Sequence, residues 1–371
     1  MKQGASRLKS LPLLVAVFFL LFTCSSQQTA FAASERIQQT LFSSEIDDSV
    51  KIDIQLPDSY SRFPDQTYPV LYLLDGNFYF DYAAATTQML SRGIQPFTPE
   101  FILVGISSRN RFRDFTATNA KVNNDGTPVE SIYQTSGGAD RFTLFLTETL
   151  RPKIEFNYRS NGFNMLFGHS FAGLYTLDLL LHQKADFNAW LIADPSLWWD
   201  NESLFHESPV LLQKDFEPTA LFLGYTNSIS IPPGIDTTLM ADCNHEMATR
   251  LQTKSHAFYL ETRFYSDCSH GSVVIPTFYD GLCFFFQGYS TNPKQVGFDL
   301  NTLLETYESI SQKIHFQLIP QQSQLENLVR FFMRTTNTRE TARQFLVYWQ
   351  EQYPGSAGWK IYQQKLANSF N

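Results

Sequence analysis

The stretch MLFGHSFAGLY (165–175) places Ser170 among small residues, with Gly168 two positions before it, Ala172 two after, and Gly173 next. The run departs from the G-x-S-x-G spacing only in the alanine at 172. A serine set this way is either a nucleophile raised on a sharp turn, where larger neighbours would collide, or a residue that N-caps the following helix. Its placement favours the nucleophile. FNMLFG (163–168) reads as a strand that ends at the serine, and AGLYTLDLLL (172–181) reads as a helix that starts just after it.

A serine hydroxyl attacks only when a base removes its proton, so a histidine is required downstream. The chain offers His169, His182, His206, His245, His256, His270 and His315. His169 adjoins the serine but points away from its neighbour's side chain, and His182 falls at the far end of the following helix. His270, in SDCSHGSVVIP (266–276), comes after the last strand candidate, where the chain order serine, acid, histidine puts the base.

The acid has no such clear position. The loop after ALFLG (220–224) begins Tyr225, Thr226, Asn227, Ser228, without a carboxylate. Asp236, Asp242 and Glu246 follow later, and Asp267 lies on the histidine loop itself. Asp267 is expected to orient His270; the alternatives are one of the three later carboxylates, or a serine–histidine dyad backed by a backbone group or an asparagine. The oxyanion that develops during attack also needs donors. The amide of Phe171 is one, and the turn after PVLYLLDG (69–76) supplies another from Gly76 or Asn77.

Holding these residues together requires a sheet. From 50 to about 287, short apolar runs alternate with amphipathic segments, and strands are expected at 50–57, 69–76, 101–106, 163–168, 189–194, 220–224 and 258–265. Several are too uniformly apolar for a sheet with one wet face and read as buried parallel strands. Helical spacing covers 139–156, 172–183 and 236–252, which gives a three-layer α/β architecture. Residues 107–140 and 225–235 lack a regular period, and loops of that length commonly shape a site or a lid. After Gly288 the character changes: ENLVRFFMRTTN, TARQFLVYWQEQ and AGWKIYQQKL read as short helices of a separate small appendage, assigned to 297–371.

With 371 residues, 43% of them hydrophobic, the chain can bury one large core. Its 36 acidic against 28 basic residues, with no basic run, argue against a nucleic-acid partner. Lys2, Arg7 and Lys9 precede an apolar run from Leu11 to Phe22 that is too short for a bilayer span of roughly 20 residues. Ala30-Phe31-Ala32 then supplies a cleavage site, so 1–32 is expected to be a signal peptide and the mature protein periplasmic or secreted. The alternative is a lipid anchor at Cys24, although Thr23 departs from the small residue usual in a lipoprotein box. An exported chain would carry Cys243, Cys268 and Cys283, among which a Cys243–Cys268 disulfide is allowed. No Cys-x-x-Cys or His-x-x-x-His pair suggests a metal, and no cofactor is expected.

Several blocks in consistent order resemble the α/β-hydrolase esterase family that includes siderophore trilactone esterases and feruloyl esterases. They are YPVLYLLDGN (68–77), VGISSRNRFRDFTAT (104–118), SGGADRFTLFLTETLRPKIEFNYR (136–159), GHSFAGL (168–174), DPSLWWDN (194–201) and HGSVVIPTFYDGL (270–282). The resemblance implies an α/β-hydrolase sandwich with a mostly parallel sheet over 33–288, an acyl-enzyme mechanism at Ser170 and His270, and a small-molecule ester substrate. It also implies that the segments around Arg111, Asp114 and Trp198 form walls or supports of the pocket. The helical tail is similar to degenerate tetratricopeptide-like ends, which implies a protein contact there. The rival reading is a hydrolase fold that binds without catalysing, and the missing carboxylate after ALFLG is what favours it.

Overall fold

Successive residues of each central strand point into two different cores, which is why the strand sequences are apolar throughout. Val70, Tyr72 and Leu74 face one core together with Val104, Leu166, Ile192 and Leu221. Leu71 and Leu73 face the other, with Leu103, Met165, Phe167, Leu191 and Phe222. The computed structural model describes residues 36–122, 126–227, 237–254 and 257–368. The expected signal peptide with Cys24, and the candidate acid Asp236, lie outside the described residues.

The strands are β1 (Arg36–Ser43), β2 (Asp48–Gln55), β3 (Tyr68–Leu74), β4 (Ile102–Ser107), β5 (Ser160–His169), β6 (Ala189–Ala193), β7 (Thr219–Tyr225) and β8 (Phe258–Phe264). They form one sheet in the order β1-β2-β4-β3-β5-β6-β7-β8. The β1–β2 and β2–β4 pairs are antiparallel and the remaining pairs parallel. All parallel strands therefore deliver their C-terminal ends to one edge, where ligands of open α/β sheets bind.

The helices are α1 (Gly76–Ser91), α2 (Arg111–Asp114), α3 (Ala139–Leu144), which runs through a π turn (Phe145–Leu150) into α4 (Arg151–Asn157), α5 (Phe171–His182), α6 (Trp199–Leu211), α7 (Thr237–Gln252) and α8 (Val274–Phe285). The tail adds α9 (Leu300–Ile314), α10 (Gln322–Phe332), α11 (Arg339–Gln352) and α12 (Ala357–Asn368). Helices α3 to α7 cover the first core. The second core is closed by α1, α8 and the tail, through Leu303, Ile310, Leu325, Leu328 and Trp349. The tail thus shares its core with the sheet where its composition suggests a separate appendage, and the described residues from 36 to 368 belong to one compact unit. Cys243, Cys268 and Cys283 are free thiols, so the allowed Cys243–Cys268 disulfide is not formed.

Candidate active site

Strand β5 meets helix α5 at Ser170, whose φ of 61° puts it in the left-handed half of backbone space, which side chains other than glycine rarely visit. The turn is held from below, since the Ser170 amide donates to the Ala193 carbonyl of β6 at 3.0 Å. Gly168 is obligatory here. A Cβ at that position would lie 2.2 Å from the Ala172 carbonyl oxygen and 2.4 Å from Thr176 Oγ1. Gly173 is similarly close to β6, where an added Cβ would stand 2.9 Å from the Ala193 oxygen. Ala172 is fully buried and fits, so alanine serves where the G-x-S-x-G spacing has glycine.

His270, one hundred residues downstream, comes back to this turn. Its Nε2 lies 3.0 Å from Ser170 Oγ, and its Nδ1 lies 2.7 Å from an oxygen of Asp194. Asp194 is 0% exposed and follows β6 directly. The Asp267 expectation is therefore corrected. Asp267 is exposed and accepts from Ser266 Oγ at 3.2 Å, while Asp194 holds the place beside the imidazole. Asp242 is exposed on α7, and Glu246 pairs with Arg250 at 3.1 Å, so neither reaches His270. A carboxylate only accepts, so Nδ1 carries the proton and Nε2 presents its lone pair to the Ser170 hydroxyl.

The acid is itself held. Asn244 Nδ2 donates to Asp194 Oδ1 at 3.0 Å and the Thr226 amide donates to the same oxygen at 3.2 Å. Thr226 also secures the histidine loop, its Oγ1 lying 2.9 Å from the Tyr265 carbonyl oxygen and 2.6 Å from that of Cys268, either of which can take its one proton. Asp194 was hidden in the sequence as the last letter of AWLIAD. The usable signal was an aspartate at the C-terminal end of the strand next to the nucleophile strand.

The donors expected for the oxyanion begin two helices. Phe171 opens α5, so its amide is among the first-turn donors that have no partner within the helix. Gly76 and Asn77 open α1, Gly76 buried and Asn77 exposed. Gly76 has to be glycine, because a Cβ would sit 2.9 Å from the Gly105 carbonyl carbon of β4. The preceding Asp75 takes a left-handed φ of 53° and accepts a two-pronged contact from Arg111, Nε at 3.1 Å and Nη2 at 2.8 Å. This pair pins the β3–α1 turn.

Arg111 also lies 5.6 Å from the ring centroid of Phe171, the residue that follows Ser170. Phe171 contacts Phe112, Trp198 and Trp199 at ring distances of 5.2, 5.6 and 5.2 Å, and Tyr133 joins this aromatic wall. Trp199 Nε1 donates to Thr118 at 3.1 Å, which anchors the wall to the long loop. Asp114, fully buried, accepts from Ser108 and Arg113 and supports that loop from inside. His182, at the far end of α5, instead pairs with Asp178 at 3.0 Å, which raises its pKa above the usual imidazole value.

The family model described as "Putative esterase" matches residues 43–222. The siderophore enterobactin esterase of Emericella nidulans is 26% identical over 275 residues, 64% of this chain and 89% of that protein. The ferri-bacillibactin esterase BesA of Bacillus subtilis is 30% identical over 176 residues, 43% of this chain and 60% of that protein. Among solved structures, an IroE-like serine hydrolase from Shewanella oneidensis is 31% identical with a TM-score of 0.77, covering 84% of this chain and 98% of that chain.

Proposed function

The chain belongs to the esterase family and is a carboxylic ester hydrolase, and from that premise we propose that Ser170 is its nucleophile, His270 its base and Asp194 the acid that orients His270. The observation that carries this reading is the unbroken sequence of contacts Ser170 Oγ, His270 Nε2, His270 Nδ1, Asp194 Oδ2, at 3.0 and 2.7 Å. As Ser170 Oγ bonds to the ester carbonyl carbon, His270 takes the hydroxyl proton and the carbonyl oxygen becomes an oxyanion. The amides of Phe171 and of the Gly76–Asn77 turn are the donors assigned to it. Collapse breaks the bond to the leaving alkoxide, which receives the proton from His270. Water, deprotonated by the same imidazole, then releases the acid and restores Ser170. Asp194 stabilises the transient imidazolium and keeps Nδ1 protonated.

The relatives' names point to an ester-linked siderophore as the substrate class, and the lining supports it. An aromatic wall of Phe112, Tyr133, Phe171 and Trp198 beside the Arg111 guanidinium suits an acyl group that is aromatic and anionic. Export through a leader over 1–32, with Cys24 as the lesser alternative attachment point, belongs to the same proposal. Mass determination of the mature N-terminus tests it, Ala33 being the expected first residue. The binding-only reading loses the feature that favoured it, since a carboxylate does face His270. Hydrolysis of short p-nitrophenyl esters by the wild type and by Ser170→Ala tests the assignment. We expect a loss of at least about 10⁴-fold in kcat; equal rates would remove Ser170 from the mechanism.

A further inference from the structure

His169 precedes the nucleophile in the chain, yet its side chain turns the other way and is used there. It is 4% exposed and bridges two parts of the site. Its Nε2 lies 2.7 Å from the backbone carbonyl oxygen of His270, and its Nδ1 lies 2.8 Å from the Tyr79 hydroxyl. These two contacts fix the imidazole completely. A carbonyl can only accept, so Nε2 carries the proton, and Nδ1 accepts from the Tyr79 O–H. The His169 and His270 rings lie 4.6 Å apart at 35°, and Tyr79 meets His169 edge-on at 5.7 Å. Tyr79 stands three residues after Gly76 on α1, so the chain of contacts joins the helix that opens at the oxyanion turn to the loop that carries the base.

We propose that Tyr79 and His169 form a strut that holds the His270 backbone and thereby keeps its imidazole in line with Ser170. His169 is then a positioning residue, and this role rests on the assignment of Ser170 and His270 as the reacting pair. The need for such a strut follows from topology. The histidine loop leaves β8 and must cross the ends of β7 and β6 to reach Ser170 between β5 and α5. Thr226 holds it at Tyr265 and Cys268, upstream of the base. His169 takes the carbonyl of the base itself. A side chain tied at Nδ1 to Asp194 still swings if its own backbone drifts, and a displacement of about 1 Å can cost on the order of a hundredfold in rate.

The strut also persists when His270 takes the proton of Ser170. The groups that face His169 are Tyr79 on α1, Arg111 on α2 and His270 on the loop. Burial first, then the charges of a protonated His270 and of Arg111, press the His169 pKa down to about 3. It stays neutral when His270 takes up its proton, so Nδ1 goes on accepting from the Tyr79 O–H and no second cation forms beside the imidazolium.

Three variants test the strut: His169→Ala, His169→Gln and Tyr79→Phe, with steady-state kinetics across pH and fluorophosphonate labelling of Ser170. His169→Ala is expected to lower kcat about tenfold to a hundredfold with KM within about twofold, and to shift the acidic limb of the kcat/KM profile that reports His270. His169→Gln, whose Nε2 amide can donate to the same carbonyl, is expected to recover most of that loss, and Tyr79→Phe to lose about threefold to tenfold. A folded His169→Ala with the wild-type rate and pH profile overturns the strut. If His169→Ala does not fold, Tyr79→Phe decides, and wild-type kinetics in that variant overturn it equally. A wild type that neither hydrolyses esters nor is labelled at Ser170 brings down the underlying assignment as well, whereas a labelled, active wild type with indifferent variants brings down the strut alone.

Discussion

Asp194 and Glu100 are both buried carboxylates, one at the C-terminal edge of the parallel sheet and one at the opposite edge, where the chain enters β4. Asp194 accepts from Asn244 and the Thr226 amide on one oxygen and faces the His270 imidazole with the other. Glu100 accepts from the Ser59 amide at 3.1 Å and from the Ser59 and Ser323 hydroxyls, both at 2.6 Å. Its own backbone exchanges two hydrogen bonds with the Gln321 side chain. Glu100 thus ties the Ser59 segment to the start of α10 in the helical tail. The contrast lies in the partners. Donors that are all neutral make Glu100 a clasp, and burial outweighs them to raise its pKa. An imidazole whose far nitrogen rests on a hydroxyl puts Asp194 at the end of a hydrogen-bonded line that reaches Ser170, the line proposed to move the proton.

The sharpest way to break that contrast is to neutralise the acid. Asp194→Asn is expected to lower kcat by about 10⁴-fold, because the amide favours the wrong imidazole tautomer. Asp267→Asn is expected to stay within about twofold of wild type, since Asp267 is exposed and, among the described residues, bonds to its neighbour Ser266. Steady-state kinetics on one ester substrate compare the two, and a reversal of these effects would restore Asp267 to the role first expected of it.

A smaller loss is expected when the acid is left and its support removed. Asn244→Ala deletes one of the donors to Asp194 Oδ1, and a hydrogen bond to a charged group is worth about 1.5–3 kcal/mol. About a tenfold fall in kcat with little change in KM is the expected reading. An unchanged kcat would mean that the Thr226 amide suffices.

At the other carboxylate the expected effect is on stability, not rate. The folded-state pKa of Glu100 is raised above its unfolded value of 4.5, so the native state holds that proton more tightly. Its contribution is full below the unfolded value and is lost as pH rises through the folded value. Glu100→Gln removes that titration. Relative to Glu100→Gln, the wild-type melting temperature should therefore decline as pH climbs from about 4.5 toward neutrality. Parallel melting curves across that range would show that Glu100 does not carry the dependence, while ester hydrolysis should be equal in both proteins.

Much of the scaffold could be read directly. Strands β3 to β7 appear as apolar runs because both faces of the sheet are covered, while β2 and β8, nearer the sheet edges, show as shorter mixed runs; Ser170 and His270 stand out through a strand-turn-helix signal and chain order. Strand β1 escaped because RIQQTLFS sits at a half-exposed edge and has neither an apolar run nor a regular polar–apolar alternation. Helix α1 escaped because its buried stripe is built of Gly76, Ala83, Thr86 and Thr87 as well as Phe80 and Leu90, a weak apolar signal. The acid escaped for a spatial reason: what identifies Asp194 is His270, 76 residues away, and Asn244, 50 residues away. The tail looked detached because its partners, such as Leu71, Phe163 and Met165, lie far back in the chain. Polar and strained positions are set by long-range partners, and local pattern carries little of that.

Reaction of the full-length protein with a fluorophosphonate, followed by peptide mass mapping, tests the Ser170–His270–Asp194 line most directly. A single adduct on the peptide containing Ser170 is expected, formed as fast in Asp267→Asn as in wild type and far more slowly in Asp194→Asn. An adduct on a different serine, or equal labelling rates in all three folded proteins, would contradict it.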